Sequence, residues 1–279
     1  MADWSWAGPM IDTRPLFPAE RRRLLGALGS LDHADWQRPT VCPGWSVHDI
    51  AGHLLHDYLR GLSGGRDGHP GVWLPCEDLP RALAQVNEQF VAQARGLSPA
   101  VLIDLLAHLG PQLDVYWAGL DLDVIGSIDV WWAAPDVPAP VWLHVAREYT
   151  ECWVHQQQIR DAVGRPGADE PELMHPVIDT FLRALPRTLR DVQAAPGTAL
   201  RMVVEGVAGG TWTVSRDEAA WSMGGDPDPE RITSLEIGAD TVWRLATGGI
   251  SAEAARAVTR LHGDEALGRA ALAIVAIIR

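Results

Sequence analysis

A chain of 279 residues, 47% hydrophobic and 21% charged, is long enough for two packed domains and too apolar to be a disordered polymer. Its formal net charge of −13 argues against a basic binding face, and so against nucleic acid or an anionic membrane surface as partner. No apolar run approaches the roughly 20 residues that span a bilayer.

The opening stretch MADWSWAGPMIDTRP has no charged region followed by an apolar core, so no signal peptide and a cytoplasmic location are expected. Apolar residues at helical spacing then predict a helix over 18–31, a second over 46–62, two pieces between 80 and 117, and a further run over 141–163. Pro39, Pro43-Gly44 and Gly64-Gly65 punctuate these runs. Long helices with short connections are the signature of a helical bundle. Residues 119–140 read as the longest irregular connection, and they carry Trp131 and Trp132, candidates for an aromatic wall over a bound organic molecule.

Past Gly164-Arg165-Pro166 the pattern changes. One helix over about 171–192 precedes the alternating segments LRMVVEG, TWTVS, AAWSM and ITSLEI, with Gly209-Gly210 as a hairpin signal between the first two. Helices near 239–246 and 264–278 close the chain. The expected class is therefore α+β: a four-helix bundle over 1–166 and a smaller domain with an antiparallel sheet over 167–279.

Cys42, Cys76 and Cys152 are odd in number and widely spaced, which suits buried small side chains better than a disulfide framework or a thiolate zinc knuckle. Every basic side chain is arginine, a bias that suits a GC-rich genome such as an actinobacterium's.

The chemistry concentrates on two helices. In PTVCPGWSVHDIAGHLLHDYLRG, Ser46 caps the helix and Asp49 favours its positive end. His53 follows one turn later, with His56 and Asp57 on its side as possible outer partners. In VWLHVAREYTECWVHQQQIRDAVGRP, Glu151 and His155 stand one above the other at i and i+4. At about 100° per residue, His144, Glu148, Glu151 and His155 share an arc of roughly 60°. That stripe also suits a solvated polar face, and an isolated core histidine is usually structural. Taken together, His53, Glu151 and His155 can close three vertices of a tetrahedron around one divalent metal and leave the fourth open, as catalytic zinc sites do.

The blocks DWQRPTVCPGWSVHDIAGHLLHD and REYTECWVHQQQIRDAVG, together with VWRLATGG and RLHGDEALGRAALAI further on, resemble the mycothiol-dependent maleylpyruvate isomerase family. The resemblance implies a DinB-like metal-binding bundle followed by a small α+β domain. It further implies zinc on His53, Glu151 and His155, mycothiol as cosubstrate, and a small electrophilic substrate that is isomerised about a double bond or captured by thiol transfer. The family's R-L-x-T-G-R segment maps a catalytic arginine onto Arg244, but Gly248-Gly249 stands where its final Gly-Arg is expected. Two other readings remain open from residues alone: a metal-dependent hydrolase with Glu148 as general base, and a non-catalytic binding or regulatory module.

Overall fold

The computed structural model describes residues 3–69 and 79–276. Two compact units emerge: a bundle unit, Thr13–Leu120 with Tyr149–Ala168, and a sheet unit, Met1–Asp12, Asp121–Glu148 and Asp169–Ile278. Each is discontinuous in sequence, unlike the contiguous division at 166 expected above.

The bundle unit contains α1 (Phe17–Gly29), the short α2 (His33–Trp36), α3 (Val47–Arg60), α4 (Leu79–Ala94), α5 (Pro99–Ala118) and the later turns of α6 (Val141–Val163). α3 starts where its sequence dictates. The Asp49 N–H donates to Ser46 Oγ at 3.3 Å, and the Ser46 N–H donates back to Asp49 Oδ2 at 2.9 Å, a reciprocal capping box. Arg95 Nε donates to the other Asp49 oxygen at 2.8 Å, tying the end of α4 to the start of α3. α3 packs against α4 and α5, and α1 packs against α5. Ile50, Leu54, Leu102, Leu106 and Leu24 are fully buried and form the apolar centre. Next to His53, Gly52 allows a close helix approach, since a Cβ built there would lie 2.9 Å from Ala94 Cβ. α3 passes at Gly61 into a wider π turn, Gly61–Arg66.

A polar contact also runs through this interior. Gln156 Nε2 on α6 donates to Glu20 Oε1 on α1 at 2.6 Å. Burial outweighs that bond and pushes the Glu20 carboxyl up to about 7.

In the sheet unit, β1 (Ile125–Val130) and β2 (Ala134–Pro140) form an antiparallel pair. The stretch read from sequence as irregular is thus a hairpin with Trp131 and Trp132 in its turn. Its strand signal is masked because β2 reads APDVPAP, and proline, lacking an N–H, is tolerated only in such an edge position. α7 (Pro171–Leu182) and α8 (Leu185–Thr188) replace the single helix expected over 171–192; Pro186 opens α8 and cannot donate into a continuing helix. Five strands follow in sheet order β5-β4-β3-β6-β7: β3 (Ala199–Glu205), β4 (Gly210–Arg216), β5 (Trp221–Met223), β6 (Ile232–Gly238) and β7 (Arg260–His262). Their pairings are antiparallel as expected, except that β3 and β6 run parallel. Alternation places Leu200, Met202 and Val204 of β3 and Leu235 and Ile237 of β6 in the core. α9 (Ala239–Ala246) and α11 (Glu265–Ala271) pack on these strands, and α10 (Ala252–Ala257) follows α9. α11 stops at Ala271 rather than running to 278, and the chain end is held by the Ala276 N–H donating to Ala246 O at 2.9 Å. Cys76 lies outside the described residues. Among the described residues, no helix is long and apolar enough to cross a membrane.

Candidate metal centre

The three residues of the centre lie in the bundle unit. α3 supplies His53, one turn beyond its capping box, and α6 supplies Glu151 and His155 on one face. The two imidazole rings meet edge to face, with centroids 4.8 Å apart and planes at 83°. One donor atom from each of His53, Glu151 and His155 lies within 4.8 Å of the other two. His155 Nε2 and Glu151 Oε2 are 3.4 Å apart. Neighbouring ligand atoms in a tetrahedron with bonds near 2.0–2.1 Å are separated by about 3.3 Å, so this pair already has the spacing of a shared ion.

The surrounding hydrogen bonds orient the ligands. His155 Nδ1 lies 2.7 Å from Gln158 Oε1. A carboxamide oxygen only accepts, so Nδ1 carries a proton and Nε2 is the nitrogen turned to Glu151. Gln158 Oε1 also accepts from Cys42 Sγ at 3.3 Å. His53 Nε2 is 3.4 Å from Asp57 Oδ2, while His53 Nδ1 is buried without a hydrogen-bond partner. An orphaned buried nitrogen is costly unless something fills its lone pair or takes its proton. The indole of Trp45 lies 5.1 Å from the His53 ring and is itself anchored, Nε1 donating to Glu88 Oε2 at 2.9 Å.

Burial, and then the neighbouring His155, push the His53 imidazole down to about 3. Burial pulls His155 the same way, but the hydrogen bond and charge of Glu151 outweigh it and hold His155 above its ordinary range. Burial pushes the Cys42 thiol up. A neutral His53 is the form that ligates. His53 also belongs to a second possible set with His56 and Asp57, all on α3. Of those neighbours, Asp57 reaches His53, whereas His56 stacks on Phe90 with ring centroids 4.5 Å apart.

Other residues singled out from sequence lie in the sheet unit. Glu148 accepts from Arg147 in a tight ion pair, and Arg147 Nη2 also lies 3.2 Å from His144 Nδ1, so the carboxylate that a hydrolytic base requires is already engaged. Arg244 Nε donates to Asp240 Oδ2 at 2.8 Å, and its guanidinium lies 4.3 Å from the Trp243 ring centroid. Gly248 keeps the glycine of that segment, its φ of 73° ending α9 in the left-handed region, and the departure falls on Gly249, where the arginine is expected. Gln158 and Trp45 escaped the sequence reading; the signal for Gln158 was its position three residues beyond His155.

Residues 17–160 match the family described as the mycothiol maleylpyruvate isomerase N-terminal domain. The chain belongs to that family. It is also similar to a crystal structure of the mycothiol-dependent maleylpyruvate isomerase, at 14% identity and a TM-score of 0.51, covering 84% of this chain and 87% of that one. A histidine-to-alanine mutant of that isomerase superposes alike, at a TM-score of 0.52 with the same identity and coverage. At this identity the likeness establishes a shared fold. No curated protein matches the chain. The family match covers α1, α3 and nearly all of α6, and so includes His53, Glu151 and His155.

Proposed function

We propose that the chain is a metal-dependent, thiol-using enzyme that isomerises a small unsaturated electrophile, with mycothiol as cosubstrate. The observation that carries this reading is the meeting of His53, Glu151 and His155, from two helices within the family-matched segment, with donor atoms inside 4.8 Å of one another. Two nitrogens and one carboxylate oxygen form a donor set suited to zinc, and the orphaned Nδ1 of His53 fits an ion that takes its lone pair. A zinc ion bound there supplies one thing to the reaction: it keeps a thiol ionised at neutral pH.

The protein's own side chains do the positioning. Gln158 fixes the His155 tautomer, Asp57 reaches the His53 ring, and Trp45 covers it against solvent. Arg244 is the residue of the sheet unit that we assign to the reaction, with Asp240 accepting from its Nε. The printed names of the similar proteins make maleylpyruvate the first substrate to try.

The test is elemental analysis of the purified protein beside His53→Ala and His155→Ala, followed by incubation with maleylpyruvate with and without mycothiol. About one zinc per chain, lost in both variants, with turnover only when thiol is present, is the expected result. A native protein without bound metal, or turnover independent of thiol, overturns the reading.

A further inference from the structure

The sheet unit holds a cavity of about 290 Å³, walled by Trp131 and Trp132 from the β1–β2 turn, Arg187 of α8, Arg190 and Asp191 just beyond it, and Val275 near the chain end. Its walls are fixed by backbone bonds. The Ala133 N–H closes the turn onto Val130 O at 2.8 Å, the Leu189 N–H donates to Leu185 O at 2.9 Å, and Ala276 is tied to Ala246. A site built this way needs little ordering when a ligand enters.

The guanidinium of Arg187 is the unusual group. It lies 5.8 Å from the Trp131 ring centroid, and among the described residues no side chain or carbonyl accepts a hydrogen bond from it. Arg190, by contrast, pairs with Asp191 at 3.2 Å and also donates to Arg187 O at 2.9 Å. Burial, and then the charge of Arg190, push Arg187 below the ordinary arginine range, with Asp191 opposing. Among the described residues that line the cavity, two arginines face one aspartate, which leaves one positive charge in excess, on the half-buried planar donor fork of Arg187.

We propose that this cavity binds a small organic monocarboxylate with a flat apolar body, its carboxylate on Arg187 and its body against Trp131. A carboxylate matches the guanidinium fork with two parallel hydrogen bonds. The single excess charge matches a monoanion, and Arg190 is already neutralised by Asp191. Indole faces and the Val275 side chain offer apolar area for a flat body. The volume lies at the small end of ligand sites, which suits a molecule of about one ring.

Benzoate is the probe, titrated calorimetrically into the full chain with no thiol and no added metal, so that the result does not depend on the metal reading. Benzyl alcohol and inorganic phosphate serve as comparisons. Saturable one-to-one benzoate binding is expected, with benzyl alcohol and phosphate each at least about tenfold weaker. Arg187→Gln and Arg187→Lys should each weaken benzoate by about tenfold or more, since the first removes a charged donor and the second removes the fork. The side chain is half-buried and makes no hydrogen bond, so both variants should melt with the native protein. Absent benzoate binding, binding unchanged in Arg187→Gln, or phosphate binding as tight as benzoate overturns the proposal.

Discussion

Among the described residues, every buried histidine and every buried carboxylate lies in the bundle unit: His48, His53, His56 and His155, with Glu20, Asp35 and Asp49. Among its described residues the sheet unit buries one charged side chain, Arg183, which pairs with Asp179 at 2.8 Å, and otherwise fills its interior with apolar groups and a few hydroxyls. Desolvating titratable groups costs free energy that an apolar core avoids. Some of the bundle's buried groups serve its architecture: Asp49 caps a helix, and His48 Nε2 lies 2.9 Å from Leu97 O. His53 and His155 serve no comparable structural need, which is why the difference between the units points to chemistry in the first. In the second, Arg187 lines a cavity rather than a packed interior.

Breaking the polar interior at its centre should have the largest effect. Substituting His53 or His155 by alanine is expected to lower metal affinity by more than the ten- to hundredfold usual for outer partners, and to abolish thiol-dependent turnover. Elemental analysis and rate measurements on the same preparations check this. An apolar cut in the sheet unit sharpens the contrast: Leu235→Ala, fully buried on β6, should destabilise by about 2–5 kcal/mol in denaturant unfolding and leave the bound metal per folded chain unchanged.

Glu20 offers a pH test of the bundle. Its proton is held more tightly folded, with the carboxyl near 7, than unfolded, near 4.5. Its contribution to stability is therefore fullest below about 4.5 and declines as pH rises to about 7, by about 3 kcal/mol in total. Glu20→Gln should lose that slope in unfolding curves taken across this range. The smallest expected change is Gln158→Ala, where His155 stays but its tautomer is no longer held. Metal affinity should fall about ten- to hundredfold with little change in melting temperature, measured by competition with a chelator.

Much of the bundle was legible because its signals are local. A capping box at Ser46 and Asp49, apolar spacing along α3 and α6, and the i, i+4 placement of Glu151 and His155 are all readable within two or three turns of helix. The meeting of α3 with α6 is not local: the bundle pattern allowed His53 to join the other two on one ion, and the resemblance to a family then favoured that over a core histidine and a solvated stripe. In the sheet unit the alternating strands and Gly209-Gly210 were readable, but the parallel pairing of β3 with β6 depends on a crossover that no short pattern encodes. β7 is three residues long, too short for periodicity to register, and the prolines of β2 suppress the pattern by which a strand is recognised. Arg187 carried no signal, because its distinction lies in what fails to approach it.

The bare backbone at Gly52 has a consequence for the neighbouring ligand. Ala94 has no flexible tip to swing aside, so even a methyl at position 52 must wedge α3 away from α4. His53 rides on the same turn and would travel with that displacement, while Glu151 and His155 keep their own anchorage. The tolerance of the coordination triangle is thus set in part by a residue that contributes no donor atom, and whose role is to leave room.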